Sequence, residues 1–308
     1  MDKNKRADLI NELRTAQIEF LENEYMSSYS SIKIGGVAEL IVFPKNEREL
    51  LFITDIFRVY ACGYYVIGRG TNTLFKDTNI CLPVISFKQF KATYSESKKS
   101  GSEIVLGVGS GAVLSKVLRY AMENNFGGCE FFYGIPGTLG GAVRMNAGSK
   151  ESVMGNIVEK IDIIMDDGAK LTIEKRDLEF SYRNLKIRGV DSGYFITNVH
   201  LTLFKSLGAK IFENIEIFKK RKLFQPLSEY SLGCIFKNPE GLSAGKVIEE
   251  IGFKGFSNGG VQVSEKHANF IVNKGSAKPD DIMSLIKIIQ EKALSSRGIE
   301  LNTEIKII

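Results

Sequence analysis

The sequence predicts an α+β fold in several lobes, and three observations predict it. Short apolar runs with strand periodicity alternate with amphipathic stretches over the first part of the chain. Two glycine-rich loops each follow a strand-like run. The last third mixes helical segments with strands, without the regular alternation a TIM barrel requires. The 308 residues, 44% hydrophobic and 25% charged, suffice for two or three compact units with a buried core.

In order, Leu9, Ile10, Leu13, Ile18 and Leu21 recur at helical spacing among charged residues. That predicts an N-terminal helix and excludes the uninterrupted apolar core of a signal peptide. AELIVF (38–43) and YYVIG (64–68) read as strands around a helix at about 46–62. EIVLGVG (103–109) reads as a strand and AVLSKVLRYAMENN (112–125) as a helix. A long glycine loop follows, then strands at IVEKIDIIM (157–165), KLTIE (170–174) and YFITNVHLTLF (194–204). Beyond residue 209, helices are expected at 213–224, 243–252 and 279–298, and strands at 268–273 and 299–308. Pro279 with Asp280 and Asp281 is helix-start chemistry, and Gly298 is a stop.

The charge balance excludes several classes. A net charge of +5 with scattered lysines suits an anionic small ligand, and no nucleic-acid signature is present. No segment approaches the ~20 apolar residues of a membrane span. Four widely separated cysteines and two histidines argue against a disulfide framework or zinc site and for a reducing cytoplasm.

The glycine loops carry the functional signal. PGTLGGAVRMNAG (136–148) and GRGTNT (68–73) are dense in small residues and amides. Glycine permits close backbone approach to a flat or phosphorylated ligand, and successive free N–H groups form anion-binding concavities. Two such loops suggest a large phosphate-bearing ligand of dinucleotide size. GVGSG (107–111) lacks the full GxGxxG fingerprint and reads as a turn, and GLSAGKV (241–247) is no Walker loop. In SLGCIFKNP (231–239), the flanking glycine and polar triplet place Cys234 at a loop tip. By the blandest reading, Glu304 sits on the solvent face of an edge strand, and Arg183 in YRNLK is a surface arginine.

Taken together, SSYSSIKIGGVAEL (27–40), GRGTNT, FFYGIPGTLGGAVRMNAG, SYR, RKLFQP (221–226), SLGCIFKNP, SAGKVIEEIGFKG, VSEKHANFIVN and LNTEIKII resemble the UDP-N-acetylenolpyruvoylglucosamine reductase family, in its shorter subtype, from about residue 27 onward. The resemblance implies a two-lobed PCMH-type FAD-binding fold plus a C-terminal α+β substrate-binding domain. It implies lobes over 1–87 and 88–208, and a substrate domain over 209–308 whose last strand returns to the active site. FAD would be bound non-covalently by Gly68, Arg69, Gly70, Thr71, Asn72 and Thr73, and by Gly134, Pro136, Gly137, Thr138, Gly140, Gly141, Asn146 and Ala147. NADPH would be the hydride-donating co-substrate and a UDP-sugar the substrate, held by Tyr182, Lys222 and Asn238. Arg183 and Glu304 would stabilise the charge that develops when hydride reaches the enolpyruvyl group, Glu304 as a protonated donor, and Cys234 would supply the proton. The family's implications continue with a cytoplasmic monomer, no metal, no nucleic acid and no membrane insertion. Cys234 stands where better-known members carry serine, Tyr29 where histidine is common, Val37 where proline is common and Asn302-Thr303 where Glu-Pro is usual. Two rival readings are another flavin oxidase or dehydrogenase of the same fold and a non-catalytic nucleotide-sugar binding protein.

Overall fold

A computed structural model describes residues 3–149, 151–191 and 193–308. The chain divides into two compact units. The first comprises Met1–Leu21, Leu40–Gly68 and Leu82–Arg221, the second Glu22–Glu39, Arg69–Cys81 and Lys222–Ile308.

The larger core of the first unit lies on an antiparallel sheet in the order Lys170–Glu174, Val158–Met165, Tyr194–Lys205, Glu103–Gly109, Tyr94–Lys98. Along Tyr194–Lys205, Val199, Leu201 and Leu203 point into the core while Asn198, His200 and Thr202 point out, the period-two pattern of a one-sided sheet. Leu201 lies opposite Leu106, and Val199 opposite Val108 and Ile161. The helix Leu114–Glu123 covers this face with Leu114, Val117, Leu118 and Ala121. A second core gathers the helices Lys3–Thr15 and Glu47–Val59 onto a sheet built from Val84–Ser86, Tyr65–Ile67 and Val37–Val42. Asn46 caps Glu47–Val59 by accepting the Glu49 N–H at 3.0 Å, while Glu49 accepts the Asn46 amide at 2.9 Å.

In the second unit, Ser231–Cys234, Phe270–Asn273, Val261–Val263 and Ser257–Asn258 form an antiparallel sheet beneath the helix Pro279–Arg297. That helix starts and stops where its sequence signals place it. Asp281 accepts the Lys278 and Gly260 N–H groups at 2.9 and 3.1 Å, bonds that hold its carboxyl below the usual range, and Gly298 is left-handed. Among the described residues, no helix is long and apolar enough to cross a membrane.

Four local expectations are corrected. The N-terminal helix ends at Thr15; the chain turns at Gln17 (φ 56°) and continues as the strand Phe20–Tyr25, with Leu21 exposed. The long glycine loop contains a short helix, Leu139–Arg144, because Thr138 accepts the Gly141 N–H and caps it. Cys234 lies in a strand rather than at a loop tip. Gly233 adopts φ 77° there, and the register shifts between Ser231 and Cys234, a bulge that a β-carbon would strain. Of residues 299–308, only Lys306–Ile307 form a regular strand. The reason is that the segment's backbone bonds are divided: 302–304 run along 235–237, whereas 306–308 run along 72–76.

Candidate functional site

The first unit holds a cavity of about 780 Å³. Its apolar wall comes from Val66, Ile67, Phe87, Phe195 and Ile196, and its polar lining includes Ser110, Thr138, Arg144, Asn184, Lys186 and Arg188. The volume falls in the ~300–1,000 Å³ range of cofactor sites. One edge is made by two segments running antiparallel. Leu139 N–H donates to Ala112 O and Gly140 N–H to Ser110 O, both at 2.8 Å, while Leu114 N–H donates to Gly137 O at 3.2 Å. A side chain at Gly140 would meet the Ser110 β-carbon at 2.8 Å, and one at Gly68 would meet Thr138 Oγ1 at 2.4 Å. Close approach, more than flexibility, therefore demands glycine at both positions.

Of the residues expected to hold the cofactor, Gly68, Thr138, Gly140 and Gly141 line this cavity. Gly137 belongs to its edge, Gly134 and Pro136 precede it, and Pro136 is exposed. Asn146 is buried in a left-handed conformation (φ 41°); its amide donates to Ser181 O and its Oδ1 accepts the Gly155 N–H, both at 2.9 Å. Ala147 N–H follows with a 2.8 Å bond to Ala142 O.

Those Asn146 bonds tie the glycine loop to a feature the sequence did not reveal. Leu178–Ser181 and Asn184–Ile187 form a β-hairpin, and Tyr182 and Arg183 are its two-residue turn. Arg183 is left-handed (φ 57°), its guanidinium reaches Asn146 O at 3.5 Å, and it lies over the half-exposed Tyr182 ring at 5.1 Å. The reading of Arg183 as an ordinary surface arginine thus gives way to one anchored on the glycine loop.

Within the second unit, the strand ending at Cys234 and the segment carrying Glu304 are joined through the residues that follow Cys234. Glu304 N–H donates to Ile235 O at 2.7 Å, Lys237 N–H to Asn302 O at 2.8 Å, and Thr303 pairs with Phe236. Asn72 of the first glycine loop donates its amide to Glu304 O at 3.3 Å and accepts the Lys306 N–H at its own carbonyl. Thr73 pairs with Lys306. Gly70 is capped by Ser31, whose N–H donates to its carbonyl at 3.1 Å, and a side chain at Gly70 would fall 2.0 Å from Tyr29 O. Arg69 is exposed and Thr71 half-buried. Glu304 is therefore no solvent-face residue of a regular edge strand; its backbone is locked between the first glycine loop and the segment after Cys234.

Sequence reasoning missed Asn269, the residue that holds the segment after Cys234. Buried to 3% exposure, it accepts the Phe236 N–H at Oδ1 (2.9 Å), donates to Phe236 O (2.8 Å) and accepts the Ile235 N–H at its carbonyl (2.9 Å). The Asn in VSEKHANFIVN was its only sequence signal. Beside it, His267 accepts the Asn269 N–H at Nδ1 (3.2 Å) and meets the Phe270 ring edge-on. Burial pushes the His267 imidazole below its usual pKa, with Lys222, Lys254 and Glu249 as the charged neighbours. Since the unfolded ring binds a proton that the folded ring resists, stability is full above pH ~6.5 and falls as pH drops through the folded value. We expect His267→Gln to flatten the decline of Tm between pH 7 and 5, as measured by thermal melts across that range.

Lys222 ends the helix Gly208–Lys222, its ammonium 3.1 Å from Gln225 Oε1, and Asn238 Oδ1 accepts the Ala244 N–H at 2.9 Å.

Residues 38–174 match the family described as FAD binding domain, and residues 225–308 match the UDP-N-acetylenolpyruvoylglucosamine reductase C-terminal domain. The UDP-N-acetylenolpyruvoylglucosamine reductase of Clostridium novyi is 35% identical over 94% of this chain and 92% of its own length. That of Desulfosudis oleivorans is 38% identical over 93% of each chain. The crystal structure of the UDP-N-acetylenolpyruvylglucosamine reductase (MurB) of Thermus caldophilus superposes with a TM-score of 0.77 at 29% identity, covering 94% of this chain and 98% of that one. The cavity suits the cofactor of the first domain: a close-packed edge that requires glycine, an apolar wall for a flat ring, and cations for phosphates. A fold of FAD-binding and reductase C-terminal domains, matched to these relatives across nearly its whole length, makes this chain a member of the UDP-N-acetylenolpyruvoylglucosamine reductase family.

Proposed function

We propose that the protein is a cytoplasmic, monomeric, FAD-dependent reductase that uses NADPH to convert the enolpyruvyl ether of UDP-N-acetylglucosamine into UDP-N-acetylmuramate for peptidoglycan synthesis. The observation that carries this reading is identity of 35–38% to curated reductases over 93–94% of the chain. Bound FAD supplies a store for the hydride taken from NADPH and passed to the methylene carbon of the substrate. Gly68 to Thr73 and the loop from Gly134 to Ala147 hold that group, and residues 209–308 carry the UDP-sugar with Lys222 and Asn238, joined by Tyr182.

The protein's own tasks are electrostatic and protonic. As the methylene carbon gains hydride, negative charge spreads from the adjacent carbon into the substrate carboxylate. Fixed donors stabilise such charge best when set in place beforehand. Arg183 suits this because a guanidinium is always charged and grips a carboxylate in a fork. Glu304, protonated, donates to the same carboxylate. Cys234 releases its S–H proton to the α-carbon and is reprotonated from solvent, so one hydride and one proton add across the double bond. A thiol, ordinarily near pKa ~8.5, gives up a proton far more readily than a serine hydroxyl.

The test is spectroscopic. The purified protein should be yellow, bleach anaerobically with NADPH, and regain its colour on addition of the enolpyruvyl UDP-sugar. A colourless protein would favour a non-catalytic binding role, and bleaching by alcohols rather than NADPH would favour an oxidase.

A further inference from the structure

Ser110 belongs to GVGSG, the segment whose sequence reads as a plain turn, yet it is buried to 1% exposure and lines the cavity of the first unit. Its backbone is fixed on both sides: the N–H donates to Thr197 O at 2.9 Å and the carbonyl accepts the Gly140 N–H at 2.8 Å. Its β-carbon is pressed toward Gly140, where an added side chain would meet it at 2.8 Å. The side chain therefore has little freedom to seek a partner elsewhere. Its Oγ finds no hydrogen-bond partner among the described residues.

A buried hydroxyl without a partner is destabilising, and packing alone does not call for one. Alanine would fill the same space beside Gly140 and leave no polar atom unsatisfied. The position is thus explained by something that enters the cavity. We infer that Ser110 is a cofactor-binding residue whose hydroxyl hydrogen-bonds to FAD, completing the edge formed by Gly68, Thr138 and Gly140. This rests on the FAD reading above. It extends the cofactor contacts beyond the two glycine loops to the strand-to-helix turn that runs antiparallel to the second of them.

The same geometry predicts opposite effects on the empty and loaded protein. Removing an unsatisfied hydroxyl relieves the apoprotein, whereas removing a ligand hydrogen bond weakens the complex. In Ser110→Ala, the apoprotein Tm should be unchanged or raised by ~1–4 °C. The Kd for FAD, titrated into apoprotein by quenching of flavin fluorescence, should rise ~3- to 30-fold. Ser110→Cys, a weaker donor of similar shape, should fall between wild type and alanine. FAD affinity unchanged in Ser110→Ala, or an apoprotein Tm lowered by the substitution, overturns the inference, since the hydroxyl would then serve the protein and not the ligand. A wild-type apoprotein that binds no FAD overturns the flavin reading itself, so the two failures are told apart by the wild-type titration.

Discussion

Cys234→Ala is expected to bleach with NADPH at the wild-type rate, then to recover its flavin colour ~100- to 10,000-fold more slowly with the enolpyruvyl UDP-sugar, the usual cost of losing one general acid. The two halves separate because the thiol is needed only when the α-carbon takes its proton. Cys234 is well placed for such a task. Gly233 bulges the strand that carries it, and the next two residues are clamped by the buried amide of Asn269 and by the Glu304 N–H. A rigid donor on an irregular strand can be aimed in a way that a regular ladder does not permit. Cys234→Ser, which keeps a proton on a less acidic group, should lie between the two. Stopped-flow absorbance under anaerobic conditions measures both phases, and wild-type reoxidation in Cys234→Ala would remove the thiol from the mechanism.

Arg183→Gln should lower kcat ~100- to 1,000-fold, the range seen when one preset donor to developing charge is lost. Arg183→Lys should recover only part of that, because an ammonium keeps the charge and loses the planar fork. The turn itself should survive. Residue 183 is left-handed (φ 57°), and arginine already bears the strain that glutamine would bear there. Stability should therefore move by less than ~0.5 kcal/mol, the ordinary range for substitutions away from the core. Steady-state kinetics alongside thermal melts check the pair of outcomes. A kcat within twofold of wild type, with Tm unchanged, would show that Arg183 does not meet the developing charge.

Much of the fold was legible where local pattern and tertiary packing agree. EIVLGVG and KLTIE match the strands Glu103–Gly109 and Lys170–Glu174 at both ends. The helix Pro279–Arg297 begins on its proline and acidic pair and ends at its glycine. Less legible were positions set by backbone partners distant in sequence. Nothing local to SLGC announces that Phe270–Asn273 will pair with it, nor that 302–304 will run along 235–237. The Tyr182-Arg183 hairpin was obscured because its turn carries neither glycine nor an Asn-Gly pair. Ser110 is hidden in the sequence for a related reason: GVGSG is a turn in sequence terms, and only the antiparallel run of Gly137–Gly140 beside it makes it a cavity wall. The glycine loops themselves were readable, because side chains at Gly68, Gly70 and Gly140 would collide with neighbours and the residue type records that directly.

In the proposed reaction, hydride reaches the methylene carbon while a proton held by the protein reaches the α-carbon. Its most direct test is an anaerobic turnover in D2O with NADPH and the enolpyruvyl UDP-sugar, with the product examined by NMR. The account predicts UDP-N-acetylmuramate with one deuterium, on the α-carbon, and a methyl group whose added hydrogen came from NADPH. An α-carbon without deuterium, or a flavin that bleaches with NADPH yet never reduces this substrate, would contradict it.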